Sequence, residues 1–284
     1  MYFKNKCPIC NHEYDAMEPK CPNCNEINNR NIDATRYPKS IVFPFWKQLL
    51  LFFTGWAGFQ IIAYLVMYLA RLFTSDEAIL SAIINFGSYF ILGIAMSFIL
   101  WKDWKKIFNS FKGWRTYVFG LAGLGAIFVF SNFWSIIIQL LQIDVSDNIN
   151  QSSVVNLVVT YPLLSIIVIG IIGPLCEELA YRAGLFSFLK RINSIFAYVI
   201  SALIFALIHF DFNSIIVGFE TSNWSILINE LINLPPYVFA GLTFTFLFEK
   251  FGFGCGLFAH ILNNVYSIFA TLLLNFIEKL SGIS

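Results

Sequence analysis

Three short segments carry the groups in this chain that could do chemistry: Glu177-Glu178-Leu179-Ala180-Tyr181-Arg182, Phe205-Ala206-Leu207-Ile208-His209 and His260-Ile261-Leu262-Asn263-Asn264. All three lie inside or beside apolar runs, where carboxylates, imidazoles and amides are costly unless they pair or line a wet cavity. Together they hold the acid, base and hydrogen-bonding groups that hydrolysis needs. Glu178 and Arg182 stand at i, i+4 with the acid N-terminal, the favourable order for a helical ion pair. Glu177 projects about 100° away around the same helix, free to act on water as a general base. The plainer alternative is a single structural ion cluster at a helix end. His209 and Asn213, and likewise His260 and Asn264, also stand four apart, so on a helix each amide shares a face with its ring. Gly170, Gly173 and Pro174 precede Glu177 and are expected to loosen the local backbone and admit water.

A second set is chemically distinct. Cys7-Pro8-Ile9-Cys10-Asn11 and Cys21-Pro22-Asn23-Cys24-Asn25 are two knuckles, each presenting two sulfurs from one tight turn. Four thiolates so spaced can surround one Zn²⁺ tetrahedrally, in the manner of a bacterial zinc ribbon. The alternative is two disulfides, which an oxidising compartment would require. A closed Cys₄ site has no open position for catalysis, so the metal is expected to be structural and the ribbon to serve stability or docking of a protein partner. Cys176 and Cys255 lie in apolar runs and read as packing residues.

The elements that must position these groups are membrane helices. The chain is 58% hydrophobic and only 12% charged, against about 25% charged in ordinary soluble proteins. The net charge of +1 points to no polyanionic partner, so nucleic acid is not expected. No cleavable signal peptide is expected, since polar, Cys-bearing sequence follows Met1-Tyr2-Phe3-Lys4 directly. Residues 1–40 read as the ribbon and a linker, and 41–284 as an all-α polytopic membrane domain. Apolar runs over Leu49–Ala70, Ala78–Trp101, Tyr117–Ile143, Leu163–Leu189, Ser194–Phe210, Pro236–Phe248 and Phe253–Leu274 are the candidate spans, near the roughly 20 residues a spanning helix needs. The sixth is expected to extend back toward Ile226 through Pro235-Pro236, and Val154–Tyr161 to add a short or re-entrant helix. The expected bundle has seven or eight transmembrane helices. Fifteen Lys and Arg fall on the side of the N-terminus, and only Arg71 and Lys279 on the other. This asymmetry places the N-terminus and its cysteines in the cytoplasm of a multi-pass cell-membrane protein. The Ile-, Asn-, Lys- and Phe-rich composition suits a bacterial source.

Taken in order, Glu-Glu-x-x-Tyr-Arg, Phe-x-x-x-His and His-x-x-x-Asn, embedded in membrane helices, resemble the motifs of the CAAX protease and bacteriocin-processing (CPBP, or Abi) family of intramembrane metalloproteases. The resemblance covers roughly residues 115–275. It implies an endopeptidase acting on membrane-associated proteins or peptides, with membrane lipid and a membrane-anchored substrate as partners. Glu177 would activate water, His209 would hold that water or bind a metal, and His260 and Asn264 would complete the site and stabilise the oxyanion. Glu178 and Arg182 would shape it. Two versions stay open: Glu177, His209 and His260 as an open three-ligand site for a catalytic divalent metal, or the same residues as a metal-free acid–base group. The lack of a His-Glu-x-x-His segment weighs against the first. The CAAX label does not fix the substrate.

Two other classes fit part of the same sequence. Buried Glu, Arg and His also mark ion pathways, as in a transporter, although no inverted repeat is evident. A non-catalytic membrane scaffold or immunity protein would use the ribbon to dock a partner and the polar helices only to pack.

Overall fold

The structure is a computed structural model that describes residues 4–7, 9–15, 18, 20–25, 43–146 and 148–281. The boundary expected at residue 40, and the linker basic residues Arg30, Arg36 and Lys39, lie outside the described residues. Strands β1 (Lys4–Lys6) and β2 (Glu13–Asp15) pair antiparallel, with Lys4 opposite Asp15. The helices are α1 (Phe45–Ala70), α2 (Glu77–Ile99), α3 (Trp104–Asn109), α4 (Trp114–Leu140), α5 (Ile149–Thr160), α6 (Pro162–Leu189), α7 (Ser194–Leu207), α8 (Asn213–Thr221), α9 (Ser225–Phe251) and α10 (Phe253–Ser281).

Six of these helices (α1, α2, α4, α6, α9 and α10) are long and apolar enough to cross a membrane. The chain is a membrane protein, and its outer surface fits hydrocarbon: Phe98, Leu140 and Leu163 stand exposed on α2, α4 and α6. The sixth expected span does run back through Pro235 and Pro236, starting at Ser225. The remaining run, α7, has 14 residues, or about 21 Å of rise, short of the ~30 Å hydrocarbon core. The described residues thus hold seven apolar helices, six of them of spanning length, against the seven or eight spans expected. The segment expected to form a short helix from Val154 begins earlier, at Ile149, because the Asn148 side chain caps it by accepting from Gln151 N at 2.7 Å.

α7 ends early for a local reason. His209 N turns back to Ala206 O, and the His209 ring takes the Phe205 carbonyl. The helix stops at Leu207, so His209 and Asn213 do not share one continuous helical face, contrary to the expectation from spacing. Asn213 is exposed at the start of α8.

α6 is the axis of the bundle, packed against α1, α2, α7 and α10. It is not uniform: Val168–Ile172 and Glu178–Phe186 are π-helical and bracket an α-helical Gly173–Glu177. Such wide turns are rare and frequent at functional sites. Every residue of the second wide segment is buried. Gly184 lets α1 approach it there: a Cβ at Gly184 would lie 2.9 Å from Phe52 N and 3.0 Å from Gln48 O.

The cysteine knuckles sit beside the β1–β2 hairpin. Asn11 and Asn25, each following the second Cys of a knuckle, adopt φ of 57° and 59°. Asn tolerates this left-handed conformation better than most residues, which accounts for the Cys-Pro-x-Cys-Asn pattern. One side chain ties the hairpin to the membrane bundle. Arg191, just past α6, donates to Asp15 Oδ2 at 2.8 Å and to Gln48 Oε1 at 3.0 Å.

Candidate active site

The two neighbouring acids on α6 face different surroundings. Glu178 is fully buried, with Oε1 3.1 Å from Arg182 Nη1 and 2.9 Å from His260 Nδ1. Arg182 is equally buried; its Nη2 donates to Gly241 O at 3.3 Å. Its guanidinium lies 4.1 Å from the Phe205 ring centroid and 5.4 Å from that of Phe244. The cation is thus neutralised by one carboxylate and faced by two aromatic π-systems.

His260 connects the two acids. An ionised carboxylate only accepts, so the short contact to Glu178 assigns the proton to His260 Nδ1. That leaves Nε2 aimed at Glu177 Oε2, 3.6 Å away. The ring is locked by stacking on Phe244 at 4.3 Å and by Phe205 edge-on at 5.6 Å. Glu177 accepts at Oε1 from Tyr89 Oη at 2.8 Å. Hydrogen-bonded contacts therefore link Arg182, Glu178 and His260 on one side and Tyr89 and Glu177 on the other, with His260 Nε2 facing Glu177 between them, on three helices.

Glu177 is also where this chain meets open space. It borders a cavity of about 240 Å³ whose wall includes His209, Asn264, Tyr89 and Tyr237. His209 Nδ1 lies 2.9 Å from Phe205 O and its ring stacks on Tyr237 at 4.5 Å. The carbonyl needs a donor, so Nδ1 carries the proton and Nε2 is the nitrogen left for a ligand. Asn264 donates through Nδ2 to Ile169 O at 3.0 Å, and its second amide hydrogen remains.

Glu177, His209 and Asn264 thus share one cavity. His260 does not border it; it is buried behind Glu177, while Glu178 and Arg182 are sealed further in. Among the described residues, the four cysteines are the one group of three or more His, Cys, Asp or Glu side chains arranged to hold a metal, their donor atoms lying within 4.8 Å of one another. Among the described residues, Glu177, His209 and His260 do not bring three donor atoms that close together.

Tyr89 was not among the residues singled out from the sequence, although Asn85-Phe86-Gly87-Ser88-Tyr89 interrupts an apolar span with polar groups and was a usable signal. Tyr89→Phe removes a hydrogen bond to a charged group, an interaction worth about 1.5–3 kcal/mol. If Glu177 is the base, kcat should fall about 10–100-fold on that scale, with KM little changed and the fold kept at a modestly lower thermal midpoint in detergent. Unaltered turnover would detach Tyr89 from the site.

At the N-terminus, Cys7 and Cys24 Sγ are 3.4 Å apart, and Cys10 and Cys21 Sγ 3.5 Å. The cysteines are free thiols, and these separations are close to the ~3.8 Å edge of a tetrahedron with 2.3 Å Zn–S bonds. A hydrogen bond from Asn23, then one from the His12 backbone, holds the Cys10 thiol down to about 6, so it is mostly thiolate at neutral pH, the form that binds metal.

Comparison with known proteins places these features in context. Residues 159–266 match the family model for Type II CAAX prenyl endopeptidase Rce1-like proteins. The match contains Glu177, Glu178, Arg182, His209, His260 and Asn264, and excludes Tyr89 and the four N-terminal cysteines. The chain is 29% identical over 136 residues to "Putative membrane peptidase YdiL" of Bacillus subtilis (strain 168), covering 46% of this chain and 48% of that one. It is 25% identical over 176 residues to an uncharacterized protein of Mycoplasma capricolum subsp. capricolum, covering 58% and 47%. The chain spans about half the length of the curated relatives it matches. No solved structure gives a significant match.

Proposed function

We propose that this chain is an Rce1-like intramembrane endopeptidase that hydrolyses peptide bonds of membrane-associated proteins or peptides. The observation that carries the reading is Glu177: a carboxylate at a cavity wall within the bundle, one oxygen held by Tyr89 and the other facing His260, with His209 on the same cavity. Glu177 takes a proton from water as the water attacks the scissile carbonyl. His209, with Nε2 free, holds that water. The remaining Asn264 amide hydrogen is suited to the oxyanion. His260, buried behind Glu177, is assigned a positioning role rather than direct oxyanion contact. Glu178 and Arg182 fix His260. The family match and the YdiL relative support the reaction class.

The test is cleavage of a membrane-peptide library by the purified full chain, wild type against Glu177→Ala. Cleavage products from the wild type alone are expected. No cleavage together with proton or ion flux in liposomes would replace this reading by a transporter, whose ionisable groups would be the same ones.

The ribbon completes the proposal. Cys7, Cys10, Cys21 and Cys24 hold one structural Zn²⁺ on the cytoplasmic side, leaving the bundle to residues from about 41 onward. Purified protein should contain about one zinc per chain, and Cys7→Ser with Cys10→Ser should lose it. Circular dichroism of the membrane helices should persist after chelation, because their core does not include the metal site. Labelling that found Cys24 outside the cell would overturn both the topology and the zinc assignment.

A further inference from the structure

The cavity in front of Glu177 has a composition that bears on what enters it. Five carboxamide side chains border it: Asn85 from α2, Asn150 and Gln151 from α5, and Asn263 and Asn264 from α10. Among the described residues, no Lys or Arg does. Arg182 is fully buried behind Glu178 and committed to it. The ionisable groups at the wall are Glu177, His209 and the phenols of Tyr89 and Tyr237. Asn85 Oδ1 is buried without a hydrogen-bond partner in the protein, an acceptor that calls for a donor.

We infer that this cavity binds an uncharged, extended internal segment of polypeptide, and that it discriminates against a segment ending in a free C-terminal carboxylate. Each carboxamide offers both a donor and an acceptor, the two functions of a peptide group. Amides from three helices can therefore pair with successive N–H and C=O groups of an extended chain, as in other recognition by main-chain hydrogen bonds. Asn85 Oδ1 is satisfied when a peptide N–H reaches it. A terminal carboxylate finds no cation at this wall, so it would be desolvated without compensation whether or not Glu177 is charged. The inference rests on the endopeptidase reading and narrows it: cleavage would fall within a neutral stretch and not release a short acidic C-terminal peptide.

Binding can be separated from cleavage. A short uncharged peptide is made in two forms, ending in a carboxamide or in a free carboxylate, and titrated against the full chain in nanodiscs carrying Glu177→Gln, which binds without turnover. The carboxamide form should bind at least about tenfold more tightly. Asn85→Leu should weaken it several-fold without lowering the thermal midpoint. Gln151→Lys, which brings a cation to the wall, should raise affinity for the carboxylate form selectively. Equal binding of the two forms, no binding of either, or no response to Gln151→Lys would overturn the assignment. Wild-type cleavage of the same pair keeps the two readings distinct. Preferential binding without any cleavage would remove the endopeptidase and leave the neutral-segment site. Glu177-dependent cleavage of both forms at equal rates would do the opposite.

Discussion

Glu177→Gln is expected to keep the fold and lose proteolysis, by about 10²–10⁴-fold, the usual contribution of a positioned general base. Gln nearly matches the shape of Glu. Its carbonyl oxygen can still accept from Tyr89 Oη, which sits 2.8 Å from Glu177 Oε1. Its amide can face His260 Nε2, 3.6 Å from Glu177 Oε2, as a donor to an unprotonated nitrogen. What Gln cannot do is take a proton from water. The measurement is proteolytic rate in proteoliposomes beside thermal unfolding in detergent. Near-wild-type proteolysis by Glu177→Gln would show that the base is elsewhere, as would a well-folded, inactive Glu178→Gln protein.

Arg182→Met should produce the largest loss of stability. It strands the Glu178 carboxylate in a fully buried site beside an imidazole. Removing one partner of a buried ion pair costs about 3–5 kcal/mol, because an uncompensated charge is left behind. Glu178→Gln should also destabilise: Arg182 loses its counter-charge and His260 the anion that fixes its tautomer, so rate falls as well. The double variant Glu178→Leu with Arg182→Met should recover much of the stability, since a buried pair replaced by apolar groups is often near neutral. It should not recover activity, because His260 then has no anchor. Chemical denaturation in detergent micelles, run on the three variants together with peptide cleavage, separates the two effects. Stability unchanged in Arg182→Met would mean that the pair is not the anchor argued here.

Much of the frame was legible in the residues alone because its signals are local. A run of apolar residues near bilayer length declares a spanning helix whatever its neighbours are, and the seven runs recur as α1, α2, α4, α6, α7, α9 and α10. The Glu178–Arg182 pair follows from i, i+4 spacing, which survives the wide π-helical turn because both side chains still reach 3.1 Å. Two Cys-Pro-x-Cys-Asn knuckles specify a cluster because each closes on itself. The early end of α7 was less visible. The sequence stays apolar through Phe210, and the stop comes from the His209 ring taking the Phe205 carbonyl, a side-chain choice that hydropathy does not report.

The division of labour at the site lies at the opposite extreme. From the sequence, Glu177, His209, His260 and Asn264 were four polar positions on three helices, and the energetic need of buried polar groups for partners said only that they should meet. Tertiary packing decided that three of them border one cavity while His260 stands behind Glu177, bridging it to Glu178. It also brought in Tyr89 from α2, 88 positions away from the acid it contacts, and the amides that give the cavity its neutral wall. Periodicity and spacing act within a few turns of one helix, so they could name the carboxylates. Which oxygen meets which donor depends on how α2, α6, α7 and α10 are juxtaposed, and that is set by side chains distributed over the whole bundle.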